Sequence, residues 1–153
     1  LKKAGVKEGQ VIVDLGCGPG RFTILAARIV GPEGKVYALD IHPLHTAIVA
    51  ARIAIGGPKN ISIMHADCCA TQLSDKAIDL IFINDAFHEF DKVGCLKEAA
   101  RILKADGILA INEGEMKESK LLRIVAEVNL FSLAEKDKRL YKFRKLVDEG
   151  KSA

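Results

Sequence analysis

Asp14-Leu15-Gly16-Cys17-Gly18-Pro19-Gly20 is the strongest chemical signal in the chain. Glycines at alternate positions let the backbone turn sharply and leave no side chain between it and a ligand, so whatever binds here lies against bare backbone. A dinucleotide fingerprint wants glycine at positions 1, 3 and 6. Counted from Gly16 the sixth residue is Arg21, and counted from Gly18 it is Thr23. A phosphate loop wants Gly-Lys-Ser/Thr, which is absent here. Asp40 closes the run Val36-Tyr37-Ala38-Leu39-Asp40, twenty residues beyond Gly20. A carboxylate there can accept hydrogen bonds from both hydroxyls of a ribose, in a dinucleotide site as in any other nucleoside site. Its alternative role is an acid stabilised by the dipole of a helix that starts at Pro43. Asp67 and Asn84 end two further apolar runs. His88 lies a few residues beyond Asn84; its ring suits proton removal near neutral pH, or equally a capping or packing role, and no catalytic residue is assigned.

These residues need strands to deliver them to one edge. Continuous apolar runs alternate with helix-period segments along the whole chain, the pattern of an α/β domain. Val11–Leu15, Lys35–Leu39, Ile61–His65, Asp79–Ile83 and Ile108–Asn112 read as five parallel strands, the first covered on both faces and the fourth likewise buried. Helices are expected from about Phe22 to Val30, from Pro43 to Gly56-Gly57-Pro58, from an N-cap at Asp91 to Asp106-Gly107, and from Ser119 to Val128. Residues 68–77 are a loop or a short helix. Leu130–Glu135 and Arg139–Leu146 are strand-like runs with only three residues between them, too few for a parallel crossover, so they form an antiparallel hairpin.

The glycine segment resembles motif I of the class I S-adenosylmethionine-dependent methyltransferases: an acid, any residue, then Gly-x-Gly-x-Gly. The resemblance covers about Val6 to Leu146. It implies a Rossmann-like, doubly wound sheet of order 3-2-1-4-5-7-6 with strand 7 antiparallel. It also implies S-adenosyl-L-methionine as cofactor, held by Asp14, Gly16, Cys17, Gly18, Gly20, Asp40, Ile41, Asp67, Cys68 and Asn84. Asp14 would lie near the methionine end, where a carboxylate suits an ammonium and a sulfonium; Asp67 and the amide of Cys68 would meet the adenine. The Asn84-Asp85-Ala86-Phe87 segment departs from the Asn/Asp-Pro-Pro-Tyr/Phe motif of enzymes that methylate amino groups of bases or glutamine. Phe87-His88-Glu89 and the later Leu103-Lys104-Ala105-Asp106-Gly107 resemble instead the small-molecule branch, which includes ubiquinone and menaquinone biosynthesis and usually reads Leu-Lys-Pro-Gly-Gly at the second place. The expected reaction is in-line displacement at the sulfonium methyl by a small-molecule nucleophile.

Size and composition agree with one domain: 153 residues, 49% apolar and 28% charged. The longest stretch without Asp, Glu, Lys or Arg, Ile41 to Ala51, falls well short of the roughly 20 apolar residues of a membrane span. Nothing at the start reads as a secretory signal, and the four cysteines (17, 68, 69 and 95) lack zinc-type or framework spacing. A reduced, cytoplasmic setting is therefore expected, with no metal site and with Cys68 and Cys69 as small core residues. His42, His45 and His65 share no ligand spacing. Little precedes the first strand, so an N-terminal substrate cap is expected to be missing. The net charge of +3 arises after residue 113, and Lys136–Lys145 holds six bases, one acid and two aromatics. That run reads as a solubilising strand near the sheet edge. Two alternatives remain: an RNA methyltransferase using this strand, or a cofactor-binding module acting with a partner protein.

Overall fold

Burial on two faces is what the apolar runs require, and a computed structural model supplies it. It describes residues 1–147; residues 148–153, the last six of the expected domain, lie outside the described residues. The chain forms β1 (Val11–Leu15), α1 (Arg21–Val30), β2 (Lys35–Asp40), α2 (Pro43–Ala54), β3 (Ile61–His65), β4 (Ile78–Asn84), α3 (Lys92–Ile102), β5 (Leu103–Asn112), α4 (Glu118–Val128), β6 (Phe131–Asp137) and β7 (Leu140–Lys145). One sheet holds all seven strands in the order β3-β2-β1-β4-β5-β7-β6. β1 to β5 run parallel, and β7 is antiparallel to both β5 and β6. The order and the reversed last strand match the sequence expectation.

Alternation along each strand sorts the core into two layers. Ile12, Leu80, Phe82 and Ala110 face α1, whose Ala26, Ala27 and Val30 pack on them with Ala4 and Val6 from the N-terminus. Val13, Ile81, Ile83, Leu109 and Ile111 face the other way, onto Cys95, Leu96 and Ala99 of α3 and Leu121 and Val125 of α4. The chain leaves β1 for β2 on one side and returns to β4 on the other. That reversal opens a crevice at the carboxyl ends of the central strands, where open α/β sheets bind ligands.

Two boundaries depart from expectation. The third helix stops at Ile102, and the fifth strand begins at Leu103 rather than Ile108. The ladder jumps from Ile78↔Leu103 to Leu80↔Ile108, so Lys104 to Gly107 form a bulge. Asp106-Gly107, which reads as a helix stop, belongs to that bulge. The stretch 68–77 has no helix. It is pinned to α3 where Thr71 donates its amide (2.9 Å) and hydroxyl (2.6 Å) to Glu98, itself bound by Arg101. Asp91 caps α3 as expected, accepting from the amide of Gly94.

Gly20 ends the turn in the left-handed region at φ 81°, and a Cβ there would stand 2.7 Å from Val49 Cγ2 on α2. It is a packing residue that lets the turn before α1 close on Val49 of α2. Gly20→Ala is expected to cost about 2 kcal/mol or more, from the strained backbone and the forced contact together. The urea midpoint checks this, and Val49→Ala in the same chain should recover only the contact portion. An unchanged midpoint in Gly20→Ala would contradict the packing role.

Candidate functional site

The carboxyl ends of β1 to β4 enclose a cavity of about 490 Å³, within the usual size of small-molecule sites. Nine of the ten candidates read from the sequence line it: Asp14, Gly16, Cys17, Gly18, Asp40, Ile41, Asp67, Cys68 and Asn84. Gly20 does not, because it faces Val49.

Hydrogen bonds to neighbouring loops and helix starts hold the polar lining residues in place. Asp14 lies within β1 and is buried, and its carboxylate accepts a 2.6 Å hydrogen bond from the Thr23 hydroxyl in the first turn of α1. Burial pushes its carboxyl up to about 6; the Thr23 bond opposes the rise, and the nearby charge of Asp40 adds to it. Asp40 at the end of β2 is tied twice to backbone: Oδ2 accepts from the Gly18 amide at 2.8 Å, and Oδ1 from the His42 amide at 2.9 Å. The His45 ring lies 3.1 Å from Oδ2. Burial would raise its carboxyl, but these bonds outweigh it and hold the group below the usual range. Asp40 thus fixes the glycine turn and the start of α2 while lining the cavity.

The turn itself is shaped for contact. A Cβ on Gly16 would lie 2.9 Å from both Ala86 and the Phe90 ring, whereas one on Gly18 would meet nothing within 4 Å. Gly16 is thus pressed against the loop after β4, while Gly18 has open space beside it. The N-cap of α1 is Gly20, which has no side chain to offer, and the first turn adjoins the cavity through Arg21 and Phe22 while Asp14 holds Thr23. Burial and the two carboxylates push the Cys17 thiol up to about 12, so it stays neutral in the cavity wall.

On the far side, Asp67 is exposed and accepts from the Cys69 amide at 2.7 Å, the main reason its carboxyl lies below the usual range. Asn84 spends its side-chain oxygen on the Asn112 amide group, 2.7 Å away, which fixes the end of β4 to that of β5. Ile41 is more than half exposed and lines the wall beside Asp40.

One acid escaped the sequence reading. Glu113, the residue after β5, is buried and accepts from the amides of His88, Glu115 and Met116. Both of its oxygens lie 3.1 Å from His88 Nδ1. Its place directly after a buried strand was the available signal, the same one that marks Asp40. His88 is thus anchored through Nδ1, and the ring does not line the cavity. Asp85, in the left-handed region, pairs with Arg139.

Three of the six bases in the basic run pair with acids of the same chain. Lys136 pairs with Glu118 and Lys142 with Glu135, each at 2.6 Å, and Arg139 pairs with Asp85. β7 lies inside the sheet between β5 and β6, with β6 at the edge. Among the described residues, no helix is long and apolar enough to cross a membrane.

Comparison with known proteins agrees with this geometry. A family model described as a methyltransferase domain matches residues 6–150. The chain is similar to the demethylmenaquinone methyltransferase of Geobacillus stearothermophilus, 29% identical over 109 residues, which are 71% of this chain and 47% of that protein. To the enzyme of that name from Lactobacillus johnsonii it is 30% identical over 126 residues, 81% of this chain and 52% of the relative. The chain spans about half the length of these curated relatives. The solved structure of a SAM-dependent methyltransferase from Aquifex aeolicus superposes with a TM-score of 0.85 at 24% identity, covering 95% of this chain and 87% of the other.

Proposed function

The chain belongs to the methyltransferase-domain family, and from that premise we propose that it transfers a methyl group from S-adenosylmethionine to a small molecule. The observation that carries this reading is the cavity itself: a glycine-rich turn flanked by two carboxylates, Asp14 within β1 and Asp40 at the end of β2, with Asp67 across from them. Its donor set fits the cofactor. Asp14 answers the ammonium of the methionine portion, and the amides of Arg21 and Phe22 at the start of α1 answer its carboxylate. Asp40 keeps an acceptor site beside those serving Gly18, His42 and the His45 ring, and offers a second to the ribose hydroxyls where the His45 ring gives way. Asp67 and the Cys68 amide receive the adenine edge.

Bound there, S-adenosylmethionine supplies a methyl on positively charged sulfur, already activated toward an acceptor nucleophile. What remains for the protein is alignment and exclusion of water. Phe90, Ala86 and Phe22 give the cavity its apolar wall. A dedicated base is not required by such chemistry, and none is assigned.

A small acceptor is supported by the two relatives, whose name specifies demethylmenaquinone. The internal pairing of Lys136, Arg139 and Lys142 weighs against an RNA groove on β7. The test is transfer of labelled methyl from S-adenosylmethionine to demethylmenaquinone and to a panel of phenols, thiols and amines, with bulk RNA alongside. Label is expected in the small-molecule fraction. Label in RNA alone, falling steeply with salt, would overturn the small-molecule reading.

A further inference from the structure

At the Asp67 end, the cavity adjoins sulfur that methyl transfer leaves unused. Cys68 and Cys69 come directly after Asp67, and Cys68 packs against the core cluster to which the first turn of α3 contributes buried Cys95. The sulfurs of Cys68 and Cys69 are 3.8 Å apart. A carboxylate oxygen of Asp67 and these two sulfurs all lie within 4.8 Å of one another. The close approach depends on Gly94, where a Cβ would stand 2.6 Å from Cys69 Sγ.

The spacing has a chemical meaning. Two thiolates bound tetrahedrally to zinc at about 2.3 Å have sulfurs ~3.8 Å apart. A disulfide would instead need them at about 2.05 Å. One carboxylate and two thiolates make a donor set for a borderline-soft divalent ion, leaving a fourth position open. The Cys69 amide, donating to Asp67 at 2.7 Å, is the outer partner that orients the carboxylate.

We propose that Asp67, Cys68 and Cys69 form a binding site for one thiophilic divalent cation of the zinc type, and that this cation and the methyl-donor cofactor compete for Asp67. The competition rests on the adenine role proposed for Asp67; the metal site does not. Such a site departs from the sequence expectation of no metal, which rested on cysteine spacing along the chain and took Cys68 and Cys69 as small core residues; both are only partly buried.

The experiment uses the whole chain, reduced with a non-thiol reductant, and cobalt(II) as the probe. One equivalent is expected to produce thiolate-to-cobalt charge-transfer absorption, with zinc displacing it. Cys69→Ser, folded by circular dichroism, is expected to bind cobalt at least about tenfold more weakly. Its affinity for S-adenosylmethionine should stay that of the wild type, since Cys69 does not line the cavity. One equivalent of zinc should weaken S-adenosylmethionine binding at least about tenfold in the wild type but not in Cys69→Ser. Absence of the absorption, its persistence in Cys69→Ser, or equal cofactor affinity with and without zinc would overturn the proposal. If cobalt gave the thiolate absorption while neither form bound S-adenosylmethionine, the metal site would stand and the cofactor reading alone would fail.

Discussion

Asp14→Asn should make the protein more stable at neutral pH and poorer at binding S-adenosylmethionine. Burial lifts the Asp14 carboxyl from its ordinary 3.8 to about 6, with Asp40 adding to the rise and Thr23 opposing it. For an acid raised on folding, the folded chain holds the proton longer than the unfolded one. The stability belonging to the neutral form is fully present below pH 3.8 and is lost as pH rises through about 6. Above that pH the buried charge costs about 1–3 kcal/mol. Asparagine removes the charge and can still accept from the Thr23 hydroxyl, so its urea midpoint should exceed the wild type's at pH 8, with the difference vanishing near pH 4. The same change removes the partner of a cationic ligand, worth about 1.5–3 kcal/mol, or roughly 10- to 100-fold in affinity. In the wild type, affinity should climb as pH rises through about 6. A variant that is less stable at pH 8, or that binds as tightly as the wild type, would contradict this role.

Asp40→Ala is expected to weaken cofactor binding by about a hundredfold or more. The carboxylate does two jobs, and alanine removes both. It strands the amides of Gly18 and His42, which loosens the turn that carries the ligand. It also takes away the acceptors for two ribose hydroxyls, each a hydrogen bond to a charged group worth about 1.5–3 kcal/mol. The stranded amides should lower stability as well, by about 1–3 kcal/mol. Asp40→Asn keeps an oxygen acceptor and should fall between alanine and wild type in both measurements. Titration calorimetry with a parallel melting curve checks the pair. Wild-type affinity in a destabilised Asp40→Ala chain would assign the residue to the turn alone.

Much of this site was readable because buried parallel strands write themselves as unbroken apolar runs. Residues at their carboxyl ends must then converge on one crevice, as Asp14, Asp40, Asp67 and Asn84 do. The hairpin of β6 and β7 is dictated by a link too short for any other connection. What stayed hidden depends on contacts between distant segments. The bulge at Lys104 to Gly107 arises from pairing with β4, which no local propensity reports. Gly20 belongs to the same motif as Gly16 and Gly18, yet only the position of Val49 reveals that it serves packing. Cys95 lies far along the chain from Cys68, and the core packing that brings them together is a tertiary event. Glu113 stands outside the four strand ends to which the family resemblance assigns roles, although it comes after a buried strand as directly as its counterparts do.

The central claim is that the crevice at the ends of β1 to β4 binds S-adenosylmethionine. Calorimetric titration of the wild-type chain with S-adenosylmethionine and S-adenosylhomocysteine at pH 8 tests it most directly. The account predicts one site per chain with micromolar affinity, tighter at pH 8 than at pH 5 because Asp14 must be ionised. A folded chain that takes up neither ligand at millimolar concentration would contradict it.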